Sequence, residues 1–182
     1  RSYTYDADGN IISDTDALGR TTRFAYDALG RVVKVTFADG TTSLRSYIYG
    51  GGIEADRAGL ISERTDEDGN TTFYSYDEHG NLLFLTDAEG SKTVYGYDES
   101  DRLVSEQDAN GNTTRYEFDA NGRRTATILP LGQRSTSIYD LDGKRVAYTN
   151  FNQQQIHYTF TASGRLAQKL LPDGRTIGFS YT

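Results

Sequence analysis

The chain has 182 residues, a net charge of −7 and no cysteine. The acidic balance argues against nucleic-acid binding, because phosphate contacts need clusters of basic side chains. The absence of cysteine excludes disulfides and cysteine-based metal sites, and the sequence shows no signal peptide and no membrane span.

Along most of the chain an aromatic residue returns every 21 residues. One longer step of 29 residues, from Tyr47 to Tyr76, contains a Gly-rich insertion near 47–54. The repeats therefore start near residues 5, 26, 55, 76, 97, 118, 139 and 160. The aromatics that mark this period, here called anchors, are Tyr5, Tyr26, Tyr47, Tyr76, Tyr97, Phe118, Tyr139, Phe160 and Tyr181. A fixed period predicts a single repeat array over residues 1–182.

Two turn signals of the form D-x-x-G recur within the repeats, as in "YDADG" at 5–9 and "TDALG" at 15–19. Asp at the first position of a type I turn can accept a hydrogen bond from the backbone two residues on. Gly at the fourth position can take the positive φ that closes a hairpin with a one-residue bulge. The turn residues predicted in this way include Asp6, Gly9, Asp16, Gly19, Asp27, Gly30, Asp66, Gly69, Asp77, Gly80, Asp87, Gly90, Asp119 and Gly122. Asp101 and the stretch "TNFNQ" at 149–153 depart from the pattern because they lack the Gly.

Short runs of period two separate the turns, for example "TTRFAYD" at 21–27 and "RVVKVT" at 31–36. They are rich in residues that favour strands, and no stretch has convincing helical periodicity. We therefore predict an all-β fold with two strands per repeat and about sixteen strands in total. These strands should form a meander of antiparallel hairpins in an open sheet that curves or spirals.

A second aromatic column stands two residues before the anchors and includes Tyr74, Tyr95, Tyr116 and Tyr158. If successive repeats stack, both columns become ladders of cross-strand aromatic pairs. A single two-stranded hairpin is marginal by itself, so neighbouring repeats must supply the missing burial. The chain starts and stops inside this pattern without capping segments, and we therefore expect a fragment of a longer array. Its two open edges predict pairing with further repeats or with a second copy.

Other candidate sites are weaker. The Asp6 and Asp66 turns resemble the opening of a calcium loop but lack the Gly and Glu that the calcium helix–loop–helix motif needs at positions 6 and 12, so we favour turns there. His79 and His157 stand apart and indicate no metal site. The insertion breaks the repeat, and loops on rigid scaffolds often carry function. Its candidate interaction residues are Glu54, Asp56 and Arg57.

The motif Y-D-x-x-G-R-L…T-D-x-x-G-x-x-T-x-Y-x-Y-D resembles the YD repeat of the rearrangement-hotspot (Rhs) family. "YDALGRVV" at 26–33, "TDEDGNTTFYSYD" at 65–77 and "GNTTRYEFD" at 111–119 carry the resemblance, which covers residues 3 to 182. The family includes bacterial polymorphic toxins, shell components of insecticidal toxin complexes, wall-associated proteins and teneurins. The resemblance implies a β-sheet ribbon that spirals into a hollow shell around a C-terminal toxin domain.

The resemblance also implies a protein exported by a bacterial cell, which has an enclosed toxin domain and the rest of its own array as partners. The family's autoproteolytic D-P-x-G signature is absent from the sequence, so no catalytic residue can be assigned. We predict a non-enzymatic shell segment without a cofactor. The alternative is a repeat array that binds carbohydrate or a cell surface through its Tyr columns. Exposure of Tyr74, Tyr76, Tyr95 and Tyr97 should discriminate between the two, since packed rings favour the shell.

Overall fold

The computed structural model describes residues 1–49 and 58–181. Over these ranges the chain forms strands and turns and no helix. The strands are β1 (Ser2–Tyr5), β2 (Ile11–Thr15), β3 (Thr21–Tyr26), β4 (Val32–Thr36), β5 (Thr42–Tyr47), β6 (Ile61–Thr65), β7 (Thr71–Tyr76), β8 (Leu82–Thr86), β9 (Lys92–Tyr97), β10 (Leu103–Gln107), β11 (Thr113–Phe118), β12 (Arg124–Ile128), β13 (Arg134–Tyr139), β14 (Arg145–Thr149), β15 (Gln155–Phe160), β16 (Leu166–Leu170) and β17 (Thr176–Gly178).

The strands belong to a 17-stranded sheet. From β1 to β9, and again from β10 to β17, each strand pairs in an antiparallel sense with the strand that follows it in the chain. Among the described residues β1 pairs only with β2 and β17 only with β16, so the sheet is open. The prediction of an all-β meander of hairpins is confirmed. The short strand β17 raises the number of described strands to seventeen, against the sixteen or so expected.

The two ends of the hairpins differ in register. A register shift directly precedes the anchor in hairpins along the whole sheet, for example between Ala25 and Tyr26 and between Ile138 and Tyr139. At the other end β2 and β3 pair without a shift, from Ser13 with Arg23 to Thr15 with Thr21. A bulge of this kind bends the strand and increases its local twist. It also sets each such anchor opposite the first residue of the next strand, as Tyr26 lies opposite Val32.

The chain folds as two compact units, an N-terminal half, Arg1–Val94, and a C-terminal half, Tyr95–Thr182. In the N-terminal half, Ser43 is buried. In the C-terminal half, Ala126, Ser135 and Ala147 are buried. The buried residues are therefore small, and most aromatic side chains of the strands are half-buried against neighbouring strands. Whether residues 1–182 act as one array stays a prediction.

Candidate functional site

Both classes of turn share one backbone geometry. In the anchor turn at 27–31, the amide of Asp27 donates to the carbonyl of Arg31 at 3.0 Å and the amide of Gly30 donates to the carbonyl of Asp27 at 3.0 Å. Gly30 has φ of 73°, in the left-handed region that Gly adopts without steric cost. In the turns that lack Gly, Asp101 (57°) and Gln153 (63°) take the same conformation. The turn therefore dictates the backbone even where the sequence departs from the motif.

The turn aspartates organise the loop from within. Oδ1 of Asp27 accepts hydrogen bonds from the amides of Leu29 and Arg31, while Oδ2 accepts from Arg31 Nε at 2.8 Å. Oδ1 of Asp6 does the same for its loop, and its Oδ2 accepts from Asn10 Nδ2 at 2.9 Å. These donors hold the pKa of both carboxyl groups below the ordinary value, chiefly through the side chain of Arg31 or Asn10.

The carboxylates at the two calcium-like sequences are engaged in the same way. Asp66 accepts hydrogen bonds from the amides of Asp68 and Asn70 and from Asn70 Nδ2. Within residues 1–49 and 58–181, no group of three or more acidic, His or Cys side chains is arranged to hold a metal ion. This geometry gives both stretches a local turn role.

Five anchor tyrosines tie their repeats to the ones before them. The hydroxyl of Tyr76 donates to the carbonyl of Ile61 at 2.9 Å, and the phenol of Tyr26 donates to Ile11 at 2.7 Å. The donor stands fifteen residues after the acceptor in each case. The same bond joins Tyr47 to Val32, Tyr139 to Arg124 and Tyr181 to Leu166. Because the acceptor starts a strand of the preceding repeat, the hydroxyl holds consecutive hairpins together.

A cation at the fifth position of an anchor turn extends this connection. The guanidinium of Arg123 pairs with Asp119 at 2.7 Å and lies 4.8 Å from the ring centroid of the next anchor, Tyr139. It also donates to the carbonyl of Asp140 at 2.9 Å. Arg102 makes the equivalent set of contacts with the next repeat. The same ring contact recurs for Arg31 over Tyr47, Lys144 over Phe160 and Arg165 over Tyr181.

The four rings expected to discriminate packing from carbohydrate binding are neither fully buried nor open. Tyr74 and Tyr76 in the N-terminal half, and Tyr95 and Tyr97 in the C-terminal half, are all half-buried. Burial raises the pKa of Tyr76 and of Tyr95. With an anchor hydroxyl such as that of Tyr76 bound to the backbone, these contacts favour packing over sugar stacking.

The remaining candidates are three residues of the insertion and the two histidines. Glu54, Asp56 and Arg57 lie outside the described residues. His79 sits in a turn, where its amide donates to Asp77. His157 Nε2 lies 3.1 Å from Gln155 Oε1. Neither imidazole belongs to a group of potential metal ligands in the described ranges.

The RHS repeat model matches residues 5–42, 56–92, 84–113 and 97–134, which is more than half of the sequence. The chain belongs to the RHS-repeat family. No curated protein matches the sequence. None of the described residues forms a helix long and apolar enough to cross a membrane.

Solved structures share the fold. The chain is similar to the crystal structure of TcdB2-TccC3, with a TM-score of 0.58 and 17% identity over 99% of this chain. The form of TcdB2-TccC3 without the hypervariable C-terminal region gives the same values. A Photorhabdus luminescens Tc holotoxin pore also gives a TM-score of 0.58 at 17% identity over 99% of this chain. This chain spans 12% of the length of each of these chains.

Sequence reasoning missed the contacts that join one repeat to the next. Each bridging cation stands sixteen residues before the ring it covers, and each tyrosine hydroxyl reaches fifteen residues back. Both intervals are readable in the sequence. Which side chains these intervals bring into contact depends on the bulge at the anchor, and strand alternation alone does not predict that bulge.

Proposed function

We propose that this chain is a non-catalytic segment of a shell wall, in which a longer repeat array encloses a C-terminal effector domain of a bacterial toxin and helps to deliver it. The family membership and the shared fold support a structural role of the shell type. Enclosure, the effector and export from a bacterial cell are parts of the proposal. The partners are the rest of the same array and the enclosed domain.

The observation that carries the proposal is the contact between consecutive repeats. The bond from Tyr76 to Ile61 and the stacking of Arg31 on Tyr47 repeat at fixed intervals along the sheet. Stability that is passed from repeat to neighbour allows a sheet to grow by simple repetition. A wall needs this property, because it must be extensive and continuous rather than deeply packed.

Limited proteolysis of the full-length protein that carries this segment tests enclosure. We expect the C-terminal domain to resist proteinase K until urea unfolds the sheet, so that its cleavage and the loss of the β circular-dichroism signal share one midpoint. The control is the C-terminal domain produced alone, which should be cleaved without delay. Equal cleavage rates for the free and the attached domain would contradict the proposal.

Carbohydrate binding is the weaker alternative. Half-buried rings and backbone-bound hydroxyls leave the anchor tyrosines few free faces. The anchor column is therefore better explained as packing between strands than as an exposed binding surface.

A further inference from the structure

Two consecutive repeats in the C-terminal half differ from the others at one position. The residue fifteen before each following anchor is aliphatic in six repeats: Ile11, Val32, Ile61, Leu82, Leu103 and Leu166. In the other two it is Arg124 and Arg145. Between these two arginines, the second aromatic column is also interrupted, because Ser137 stands where Tyr116 and Tyr158 stand in the adjacent repeats.

The structure gathers these three departures around one groove. The groove has a volume of about 800 Å³, and its lining includes Tyr116, Arg124, Ser137, Arg145, Tyr148 and Tyr158. Further hydroxyl groups of the lining come from Thr and Ser residues of the neighbouring strands. The small Ser side chain leaves space in the column, so that the aromatic rings stand along the groove as walls. A volume of this size is in the range of ligand-binding clefts.

The charge of the groove is opposite to that of the chain. Its lining contains two guanidinium groups and no carboxylate, although the net charge of the chain is −7. Arg124 and Arg145 are exposed, and neither forms an ion pair with any described residue. An acidic group beside the lining is Glu106, which lies 3.4 Å from the hydroxyl of Tyr116. The groove therefore offers two positive groups for an anion.

The same half of the chain contains an arginine that lies over a ring and is also paired with a carboxylate. Arg102 lies 5.1 Å from the ring of Phe118 and pairs with the carboxylate of Asp98 at 2.8 Å. In the groove, Arg124 lies 5.4 Å from the ring of Tyr116 without a carboxylate partner among the described residues.

Arg145 repeats the incomplete arrangement. It lies 5.0 Å from the ring of Tyr148 and 5.4 Å from that of Tyr158. The planar fork of a guanidinium fits a carboxylate with two parallel hydrogen bonds. An Asp or Glu side chain from another segment would supply at both arginines the carboxylate that Asp98 supplies to Arg102.

We propose that this groove binds an acidic polypeptide segment, with an Asp or Glu carboxylate held by Arg124 and Arg145. The tyrosine rings contact the aliphatic parts of that segment, and the Ser and Thr hydroxyls bond its backbone. The choice of a polypeptide rests on the proposed function, in which the repeat array surrounds another domain. The choice of a carboxylate rests on the repeated Arg, ring and Asp arrangement within the chain itself.

Fluorescence anisotropy with labelled poly-L-glutamate of about twenty residues tests the proposal on the 182-residue chain. We expect the double substitution Arg124→Leu and Arg145→Leu to weaken binding by about tenfold or more, since it removes both charge-assisted hydrogen-bond donors of the groove. Both changes restore the aliphatic residue of the other repeats, so the fold should be kept. Ser137→Tyr restores the aromatic column, fills the groove and should abolish binding.

Arg115→Gln is the matched control, because it removes an exposed positive charge outside the groove lining. Circular dichroism of each variant verifies the sheet. An equal loss of binding in Arg115→Gln, or no binding of poly-L-glutamate to the parent chain, overturns the proposal. Tighter binding of a hyaluronan octasaccharide than of the peptide overturns it in favour of an acidic glycan. The assay involves no enclosed domain, so its failure and the failure of the proteolysis test are separate results.

Discussion

The anchor turn at residues 6–10 and the anchor turn at residues 27–31 have the same backbone hydrogen bonds. They differ in the contacts that the side chain of the fifth residue makes. In both, the amide of the first residue bonds to the carbonyl of the fifth at 3.0 Å. Asn10 bonds to Asp6 within its own turn. Arg31 bonds to Asp27 and also lies 4.4 Å from the ring of Tyr47.

The comparison separates two roles within a single motif. Asp and Gly close the hairpin, whereas the fifth residue decides whether a cation also lies over the ring of the next anchor. The contacts between repeats can therefore differ along the array while the backbone conformation of the turns stays the same. Substitutions at these two turns test how far the roles are independent.

The largest effect should follow removal of an anchor ring. Tyr47→Ala should lower the free energy of unfolding by about 2–3 kcal/mol, because it deletes a half-buried aromatic side chain together with the hydrogen bond to Val32. Tyr26→Ala is the matched variant and should cost less, since the fifth residue of the preceding turn is the neutral Asn10 and not a cation. Urea unfolding followed by circular dichroism measures both. A larger loss for Tyr26→Ala would show that the cation adds nothing.

The turn glycines should respond alike in the two turns. Gly9 has φ of 86° and Gly30 has φ of 73°, and an added Cβ would meet no atom closer than 3.8 Å at either position. Gly9→Ala and Gly30→Ala should each cost about 1–2 kcal/mol, because an L-residue must adopt the left-handed conformation. The measurement is again the urea midpoint. Clearly unequal losses would mean that the two backbones are not equivalent in energy.

The fold was predictable because the 21-residue period and the D-x-x-G turns repeat so often that single departures do not hide them. Asp101 and Gln153 show this, since their turns close without Gly. The connection between repeats was not predictable from strand alternation. It depends on the bulge before the anchor, which sets Tyr26 opposite Val32 and thereby defines which side chains meet across strands.

A gain should come from exchanging the fifth residue. Asn10→Arg should place a guanidinium over the ring of Tyr26, as Arg31 lies over that of Tyr47. This contact should raise the free energy of unfolding by about 0.5–1 kcal/mol. Arg31→Asn should remove the contact between the guanidinium and the ring of Tyr47 and lower the free energy of unfolding. The double variant moves the connection from one turn to the other and should fall between the two single variants. Equal stability of all four chains would mean that the fifth residue is interchangeable.

The smallest effect should be the difference between Asp6 and Asp27 in how their contributions to stability respond to acid and to salt. The pKa of both Asp6 and Asp27 is lowered in the folded chain, so each contributes stability above the unfolded pKa of about 3.9. That contribution is lost as pH falls through the lower folded pKa. Asp6→Asn and Asp27→Asn should therefore each reduce the loss of stability between pH 7 and about pH 3.

Salt distinguishes the two carboxylates. Asp27 is paired with a guanidinium, whereas Asp6 is paired with a neutral amide. Sodium chloride at about 1 M screens exposed charges strongly and shielded pairs less. Because the Asp27–Arg31 pair is largely shielded, salt should diminish the effect of Asp27→Asn only in part and leave that of Asp6→Asn nearly unchanged. Urea midpoints at two pH values and two salt concentrations give the comparison. The same salt response in both variants would contradict the expected partial screening of the Asp27–Arg31 pair.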